Sequence, residues 1–329
     1  MNKKLAGIAV GLALAALAAG CAGAPDLTPA ARPLSKEAMM LLGKKGMDAK
    51  SPIFVRIFKE ESELEVWKQR DDGYFHHFKT YPICTWSGDL GPKQQQGDKQ
   101  APEGFYTIGK AQMNPSSSFH LAFNIGYPNA YDRAHGRTGS ALMVHGKCSS
   151  AGCYAMTDAL IEEIYALARD SFDGGQSAFQ VHAYPFRMTD ANMARHKGSK
   201  WLEFWKTLKE GHDYFETTRL PPSVLVCGRR YQVNARPIQN ASLRVDPAAS
   251  CPALERLPLT PFTRPGDLQT ADAHVVAPGR KMRTFAAAEG STASGLTTSS
   301  VAGLFQGIMG SSKGSAGAAT SLGFAGKGD

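Results

Sequence analysis

The chain has 329 residues, 43% of them hydrophobic, and carries a formal net charge of +8 at pH 7. This charge suits an acidic partner, either nucleic acid or an anionic cell envelope. The sequence has no long block of like charges, which excludes a charged interaction tail and indicates a mildly basic, solvated surface.

The N-terminus predicts export from the cell. Two lysines precede an apolar run from Leu5 to Ala19, the pattern of a secretory signal peptide, which is too short to serve as a membrane-spanning helix. Residues 17–21, Leu-Ala-Ala-Gly-Cys, resemble a bacterial lipobox, which implies that Cys21 is lipidated and tethers the mature protein to a membrane. Ala22 favours the outer membrane, by resemblance to enterobacterial lipoprotein sorting. The alternative is an ordinary secreted protein with a chance cysteine. Export in either form excludes nucleic acid as a partner.

Composition divides the chain into five segments. Residues 1–20 form the signal peptide, 21–50 a proline-rich tether with a short helix, and 51–188 the main domain. Residues 189–265 read as an accessory helical or irregular segment. Residues 266–329 are rich in Gly, Ala, Ser and Thr, so they bury too little apolar surface to offset their ordering entropy, and we expect a disordered tail.

The apolar spacing predicts a mainly β or α+β fold, with two packed sheets flanked by helices. A short helix is expected from Ser35, and a second one is expected from Thr157 or Asp158. A third predicted helix carries Trp201, Trp205 and Leu208 and ends at Gly211. The predicted strands and loops are a meander over 51–84, a loop over 88–100, strands at 105–108, 141–145 and 179–184, and an irregular loop over 126–139.

The segment 144–158 carries the chemistry. It places His145 at a strand end and Cys153 at the mouth of a helix. A thiol is nucleophilic as thiolate, and a helix N-terminus with a neighbouring imidazole lowers its pKa. Backbone N–H groups of Gly152 and Cys153 are expected to face a developing oxyanion. Six cysteines are present, so an odd number remains if Cys21 is lipidated, which indicates at least one free thiol in an oxidising compartment.

These residues resemble the YkuD-type L,D-transpeptidase family, and most closely its YafK-like branch. The resemblance rests on His145-Gly146 and on residues 150–153, Ser-Ala-Gly-Cys, with further support from the Pro-x-Gly residues at 102–104. It covers about residues 51–188 and implies a YkuD-like mixed β-sandwich. Two departures stand out: Ala151 occupies the place of a second histidine, and Ala155 the place of an Arg or Asn that is typical two residues after the cysteine.

The resemblance implies a peptidoglycan enzyme with no metal or organic cofactor. Cys153 attacks the L-centre carbonyl of the diamino acid at the third position of the stem peptide, and His145 is the general acid and base. Hydrolysis of the bond between the wall and an outer-membrane lipoprotein is one outcome, and transpeptidation is the other. A non-catalytic wall-binding lipoprotein is a third reading, of another class.

Several roles stay open at this point. The group that orients His145 is a carbonyl near Gly146 or a hydroxyl of Ser149 or Ser150. Tyr154, Arg133, Arg137 and Arg187 are candidates for contact with the stem peptide, the arginines through its carboxylates.

The cysteines also leave alternatives. His145, Cys148 and Cys153 are a possible zinc set. A Cys148–Cys153 disulfide would silence the nucleophile. Cys227 and Cys251 read as a structural pair or as incidental, Cys84 as a core residue, and a Cys84–Cys148 pairing is undecided.

Overall fold

The computed structural model describes residues 27–238 and 245–263. The predicted signal peptide, the lipidation site at Cys21 and the predicted tail over 266–329 lie outside the described residues. None of the helices within the described ranges is long and apolar enough to cross a membrane.

The first sheet has five strands. In spatial order the strands are β3 (Phe75–Pro82), β2 (Glu63–Gln69), β1 (Ile53–Phe58), β10 (Ala178–Tyr184) and β5 (Gly104–Gly109). Strands β1 and β10 run parallel, with Val55 opposite Val181, and every other neighbouring pair is antiparallel. The predicted meander over 51–84 is therefore confirmed as three consecutive antiparallel strands.

The second sheet positions the site. In spatial order the strands are β4 (Thr85–Trp86), β9 (Tyr154–Ala155), β8 (Met143–His145), β7 (His120–Asn124) and β6 (Met113–Ser117). Strands β8 and β9 run parallel, with His145 opposite Ala155, and the other neighbouring pairs are antiparallel.

Four of the five α-helices in the described residues begin at side-chain caps. Ser35, Asn129, Thr157 and Thr189 each accept a hydrogen bond from a backbone N–H of the first turn, which satisfies a donor that the helix leaves unpaired. The predicted starts at Ser35 and Thr157 are thus confirmed. The helices are α1 (Lys36–Lys44), α2 (Ala130–Ala134), α3 (Asp158–Asp173), α4 (Asp190–Arg195) and α5 (Leu202–Thr218).

The main core lies between the two sheets and α3. Val55 and Ile57 of β1 point into it, as do Phe123 of β7 and Ile164 and Leu167 of α3. All five side chains are almost fully buried, and removal of such apolar surface from water is the dominant favourable contribution to folding. Two packed sheets with flanking helices, the predicted mixed class, are confirmed.

The outer face of the first sheet is covered by the later part of the chain. Phe58 and Tyr184 pack there against Trp205 of α5. The antiparallel strands β11 (Val224–Cys227) and β12 (Arg230–Val233) join this cluster, and β13 (Ala235–Pro237) pairs with β14 (Leu254–Arg256). The described part of the predicted accessory segment therefore packs directly on the first sheet.

Two sequence expectations about glycines were wrong. Gly211 does not end a helix, because α5 continues to Thr218. A Cβ at Gly211 would lie 2.5 Å from Phe105 Cζ, so this glycine allows the helix to approach the sheet closely. The predicted irregular loop over 126–139 contains the short helix α2, which Asn129 caps.

Candidate active site

Parallel pairing of β8 and β9 brings His145 and Cys153 to neighbouring strands. Cys153 immediately precedes β9, beside the start of β8. The backbone N–H of Met143 donates to Cys153 Sγ at 3.4 Å, and the thiol faces the carbonyl oxygen of Ala141 at 3.7 Å. Residues 141–143 therefore hold the sulfur atom, which is half-buried.

Cys153 is not at a helix N-terminus, contrary to the expectation from the sequence. Strand β9 follows it, and α3 starts only at Asp158. Burial raises the pKa of the Cys153 thiol, while the Met143 N–H and the charge of Lys93 act in the opposite direction without cancelling the effect. The charged form of a thiol is disfavoured when it leaves water, so burial favours the protonated form of Cys153 at neutral pH.

His145 is held as a neutral base. Its side chain is 3% exposed, and its Nδ1 lies 2.6 Å from the carbonyl oxygen of Gly146. A carbonyl accepts only, so Nδ1 carries the proton and Nε2 keeps a free lone pair. Burial lowers the pKa of His145, and the bond to Gly146 partly offsets this. Of the three candidate orienting groups, the Gly146 carbonyl is the one that hydrogen-bonds to the imidazole.

The imidazole and the thiol do not touch in this state. Within the described residues no hydrogen bond joins His145 to Cys153, and the ring of Phe119 packs against the imidazole with 4.6 Å between centroids. Catalytic hydrogen bonds are often long without substrate and tighten in the complex. The absence of this hydrogen bond in the described residues therefore does not exclude proton transfer between the two groups once a substrate is bound.

Ser150 organises the loop that carries the nucleophile. Its Oγ accepts from the backbone N–H groups of Gly152 at 3.2 Å and Cys153 at 3.1 Å, and it donates to the carbonyl oxygen of Cys153 at 2.7 Å. The two N–H groups expected to face an oxyanion are thus occupied. Ser149 is exposed. Gly152 adopts φ +122°, a backbone region that favours glycine.

Gly146 is required by packing. A Cβ there would lie 2.6 Å from Asp158 Oδ1 and 2.9 Å from the carbonyl oxygen of Phe119. The N–H of Gly146 also donates to that carbonyl at 3.0 Å. This glycine therefore lets the catalytic loop lie against both the turn before β7 and the first turn of α3.

The cysteine pairing settles three alternatives. Cys84 pairs with Cys148 and Cys227 with Cys251, and Cys153 is the free cysteine of the described residues. The Cys148–Cys153 disulfide and the zinc set are therefore wrong, because Cys148 is not available to either. Cys84 is exposed and not a core residue. Across the described ranges no cluster of three His, Cys, Asp or Glu side chains has metal-binding geometry.

Two of the predicted substrate contacts lie in the interior. Tyr154 is fully buried, and its hydroxyl donates to the carbonyl oxygen of Pro102 at 2.5 Å, so it supports the sheet and cannot touch a substrate. Arg137 is 6% exposed and donates to Asp132 at 2.8 Å, so it stabilises α2.

The other two predicted arginines are directed elsewhere. Arg187 pairs with Glu65 at 2.8 Å and also with Glu63, both on β2 of the first sheet. Arg133 is exposed and donates to the carbonyl oxygen of Pro128. The structure brings none of the predicted arginines to Cys153.

Lys93 has no signal in the sequence that marks it as part of the site. This residue lies in the polar segment over 88–100, which the sequence predicts to be a loop. Its side chain is nevertheless buried, and its positive charge acts to lower the pKa of Cys153. No local pattern marks a lysine that long-range folding places beside a nucleophile.

Similarity to known proteins agrees with this geometry. Residues 53–181 match the family model described as YkuD, L,D-transpeptidase catalytic domain. Two relatives, each named "Putative L,D-transpeptidase YafK", come from Escherichia coli strain K12 and Escherichia coli O157:H7. Each is 47% identical over 229 residues, which cover 68% of this chain and 90% of the relative. The chain belongs to the YkuD-type L,D-transpeptidase family. The family inferred from the His-Gly and Ser-x-Gly-Cys residues, with its YafK likeness, is confirmed.

Two solved structures are similar to this YkuD-type chain. A variant of the helical cell shape determining protein Pgp2 from Campylobacter jejuni is 22% identical with a TM-score of 0.34, covering 54% of this chain and 64% of that one. Bd1075 from Bdellovibrio bacteriovorus is 22% identical with a TM-score of 0.29, covering 50% and 61%. The chain spans less than two thirds of either structure. The chain therefore carries an L,D-transpeptidase catalytic domain, of a family that acts on peptidoglycan.

Proposed function

We propose that this YkuD-type enzyme cleaves an amide bond on the L-centre carbonyl of the diamino acid at the third position of the stem peptide. The observation that carries the proposal is the placement of a free thiol, Cys153, beside the strand that ends at His145, whose imidazole has an unprotonated Nε2. A thiol and a neutral imidazole on adjacent strands are the two groups that nucleophilic acyl transfer needs.

The reaction follows from these two residues. When substrate enters, Nε2 of His145 takes the thiol proton and Sγ of Cys153 adds to the carbonyl carbon. The tetrahedral intermediate collapses to a thioester as the imidazolium gives its proton to the departing amine. Water, deprotonated by the same imidazole, then attacks the thioester and regenerates the thiol.

Stabilisation of the oxyanion requires a local change. The N–H groups of Gly152 and Cys153 converge on one acceptor, Ser150 Oγ, in the free protein. A substrate oxygen that takes the place of the Ser150 hydroxyl would accept hydrogen bonds from both N–H groups. Two preorganised N–H groups are the usual form of an oxyanion hole.

We propose hydrolysis of the bond between the wall and an outer-membrane lipoprotein as the main reaction. The loss of the typical Arg or Asn, replaced by Ala155, supports a departure from simple cross-linking. The second candidate is transpeptidation, in which an amine replaces water at the thioester. The name of the relatives, L,D-transpeptidase, supports it. We further propose a periplasmic protein with a lipid anchor at Cys21.

The test compares two substrates and three proteins. Wild-type protein that begins after residue 21, Cys153→Ala and His145→Gln are each incubated with wall sacculi that carry bound lipoprotein, and with free tetrapeptide muropeptides. Lipoprotein release by the wild type alone supports hydrolysis. New cross-linked muropeptides establish transpeptidation instead. Equal inactivity of all three proteins, with wall binding retained, contradicts the catalytic proposal and favours a binding module.

A further inference from the structure

Phe119 is an exposed aromatic residue beside the proposed general base. It is the one exposed Phe, Tyr or Trp of the residues that the structure describes, although Phe is among the residues most often fully buried in folded proteins. Its ring centroid lies 4.6 Å from that of His145. Phe119 is 43% exposed and His145 is 3% exposed, so one side of the Phe119 ring meets solvent and the other covers the imidazole.

A tight hairpin turn fixes Phe119 in this place. Ser117 of β6 pairs with His120 of β7, so Ser118 and Phe119 form a two-residue loop. The backbone N–H of Phe119 donates to Ser117 Oγ at 3.0 Å. Behind the turn, Nε2 of His120 lies 2.6 Å from Oε1 of Glu162 on α3. The turn is therefore held by its own hydrogen bond and by the helix behind it.

The catalytic loop is hydrogen-bonded to the same turn. The N–H of Gly146 donates to the carbonyl oxygen of Phe119 at 3.0 Å, and the ammonium of Lys147 donates to the carbonyl oxygen of Ser118 at 2.6 Å. The carbonyl oxygen of Gly146 in turn accepts from Nδ1 of His145 at 2.6 Å. One glycine thus links the backbone of Phe119 to the imidazole, and the same turn supplies the ring that packs on that imidazole.

The hydrogen bond to Gly146 and the contact with Phe119 have different effects on the base. The bond fixes which nitrogen carries the proton. The χ2 torsion of a histidine is broad, so one hydrogen bond leaves the plane of the ring free to tilt. A packed aromatic ring restricts that rotation and also occupies space that water would otherwise fill.

Charged neighbours do not account for the state of the imidazole. Burial is the larger influence on the pKa of His145 and lowers it, and the bond to Gly146 acts in the opposite direction. The titratable side chains on the elements packed around the base are Cys153 before β9, Lys147 on the catalytic loop, His120 on β7 and Asp158 on α3. None of these four is among the causes of the pKa shift, so the cover over the ring decides its protonation.

We propose that Phe119 is the positioning residue of the general base: its ring keeps the imidazole of His145 in one orientation and keeps water away from it. This inference rests on the proposed function, in which His145 takes the thiol proton of Cys153. Phe119 acts through His145 and takes no part in the bonds that form and break. Loss of its ring lets water reach the imidazole and lets the imidazole turn, which changes both its protonation and the rate.

The experiment compares wild type with Phe119→Ala, Phe119→Leu and Ser118→Ala. Phe119→Ala removes the cover, and Phe119→Leu restores an apolar one. Ser118→Ala is the matched control, because it changes a side chain of the same turn and keeps the ring. Two quantities are measured in each protein: the pKa of His145 from an NMR titration, with the signal assigned by its absence in His145→Gln, and the pH dependence of leaving-group release from a tetrapeptide stem.

In Phe119→Ala the pKa of His145 should rise toward the ordinary value of about 6.5, because burial lowers it in the wild type. The acidic limb of kcat/KM, along which the base loses its neutral form, should move to higher pH with it. On the plateau above that limb, kcat should fall by about 10- to 100-fold with KM nearly unchanged. Phe119→Leu should recover most of both effects, and Ser118→Ala should match wild type.

Three results would each overturn the inference. They are an unchanged pKa of His145 in Phe119→Ala, a plateau kcat in Phe119→Ala equal to that of wild type, and a Phe119→Leu variant no better than Phe119→Ala. Failure of the proposed function is distinct, because the NMR titration needs no turnover. In that case wild type releases nothing from the stem, while the pKa of His145 still responds to loss of the Phe119 ring.

Discussion

Removal of the Cys84–Cys148 disulfide should damage the active site more than it damages the fold. Cys148 lies in the loop between His145 and Cys153, and its partner Cys84 is anchored beside β9, where its N–H donates to the carbonyl oxygen of Ala155 at 2.9 Å. The disulfide therefore ties the catalytic loop to the edge of the second sheet.

The stabilisation that a disulfide contributes to the folded state depends on the length of chain that the bond encloses. The two cysteines are 64 residues apart, which corresponds to about 4 kcal/mol of stabilisation in the chain-entropy model. The Cys227–Cys251 bond has a separation of 24 residues and corresponds to about 3.5 kcal/mol in the same model. The two bonds thus contribute similarly to the free energy of unfolding.

Their effects on catalysis should differ. Lys147 and Cys148 have φ of +61° and +45°, a strained region for residues other than glycine that costs about 1–3 kcal/mol at each position. Without the disulfide, the loop can relax from this conformation and carry His145 and Cys153 apart. We expect kcat/KM of the Cys84→Ser/Cys148→Ser double variant to fall by at least about tenfold.

The assay is urea unfolding together with the rate of leaving-group release from a tetrapeptide stem. The Cys227→Ser/Cys251→Ser double variant is the matched control, with similar loss of stability and an unchanged rate at temperatures where it stays folded. Equal rates in the two double variants would refute the link between the disulfide and the catalytic loop.

Three other perturbations test separate parts of the account. Since burial raises the pKa of Cys153, its alkylation by iodoacetamide should still be rising with pH at the ordinary thiol pKa of about 8.5; a plateau near neutral pH would instead show a preformed thiolate. Gly146→Ala, with its Cβ 2.6 Å from Asp158 Oδ1, should cost about 1–3 kcal/mol in urea unfolding, whereas Gly198→Ala, with nothing within 4 Å and no left-handed backbone, should lack this steric cost; equal losses contradict the packing argument. Burial lowers the pKa of Lys68 to about 7, below its value in the unfolded chain, so the folded state sheds this proton first and stability should rise from about pH 7 to 10 by up to about 1.4 kcal/mol per pH unit; Lys68→Met should lack that part of the slope, and an identical slope in both proteins would show that Lys68 is ionised when folded.

The proposed catalytic pair could be found in the sequence because its signal is local. His145 ends an apolar run, and Cys153 follows a glycine within the same short segment, so both residues could be assigned by spacing and resemblance. The sheet order around them could not, because β9 is only two residues long and exists through its pairing with β4 and β8. Strand β9 separates Cys153 from the start of α3, and burial raises the pKa of Cys153 where a helix N-terminus was expected to lower it.

Other errors share this long-range origin. Gly211 reads as a helix end, but contact with Phe105 on a distant strand explains it. Ser150 reads as an orienting group for the imidazole, whereas its hydroxyl binds the backbone of the nucleophile. Lys93 reads as a surface lysine until the fold places it over Gly139. Hydrophobic periodicity reports which face of an element is buried, and it carries no information about which polar groups meet.

The central claim is that Cys153 forms a thioester with the acyl part of the stem peptide. The most direct measurement is the intact mass of the protein after rapid acid quenching of its reaction with a tetrapeptide stem, followed by peptide mapping. The account predicts an added mass equal to the stem without its leaving residue, located on Cys153 and absent from Cys153→Ala. Leaving-group release that persists in Cys153→Ala, or an acyl group mapped to another residue, would contradict it.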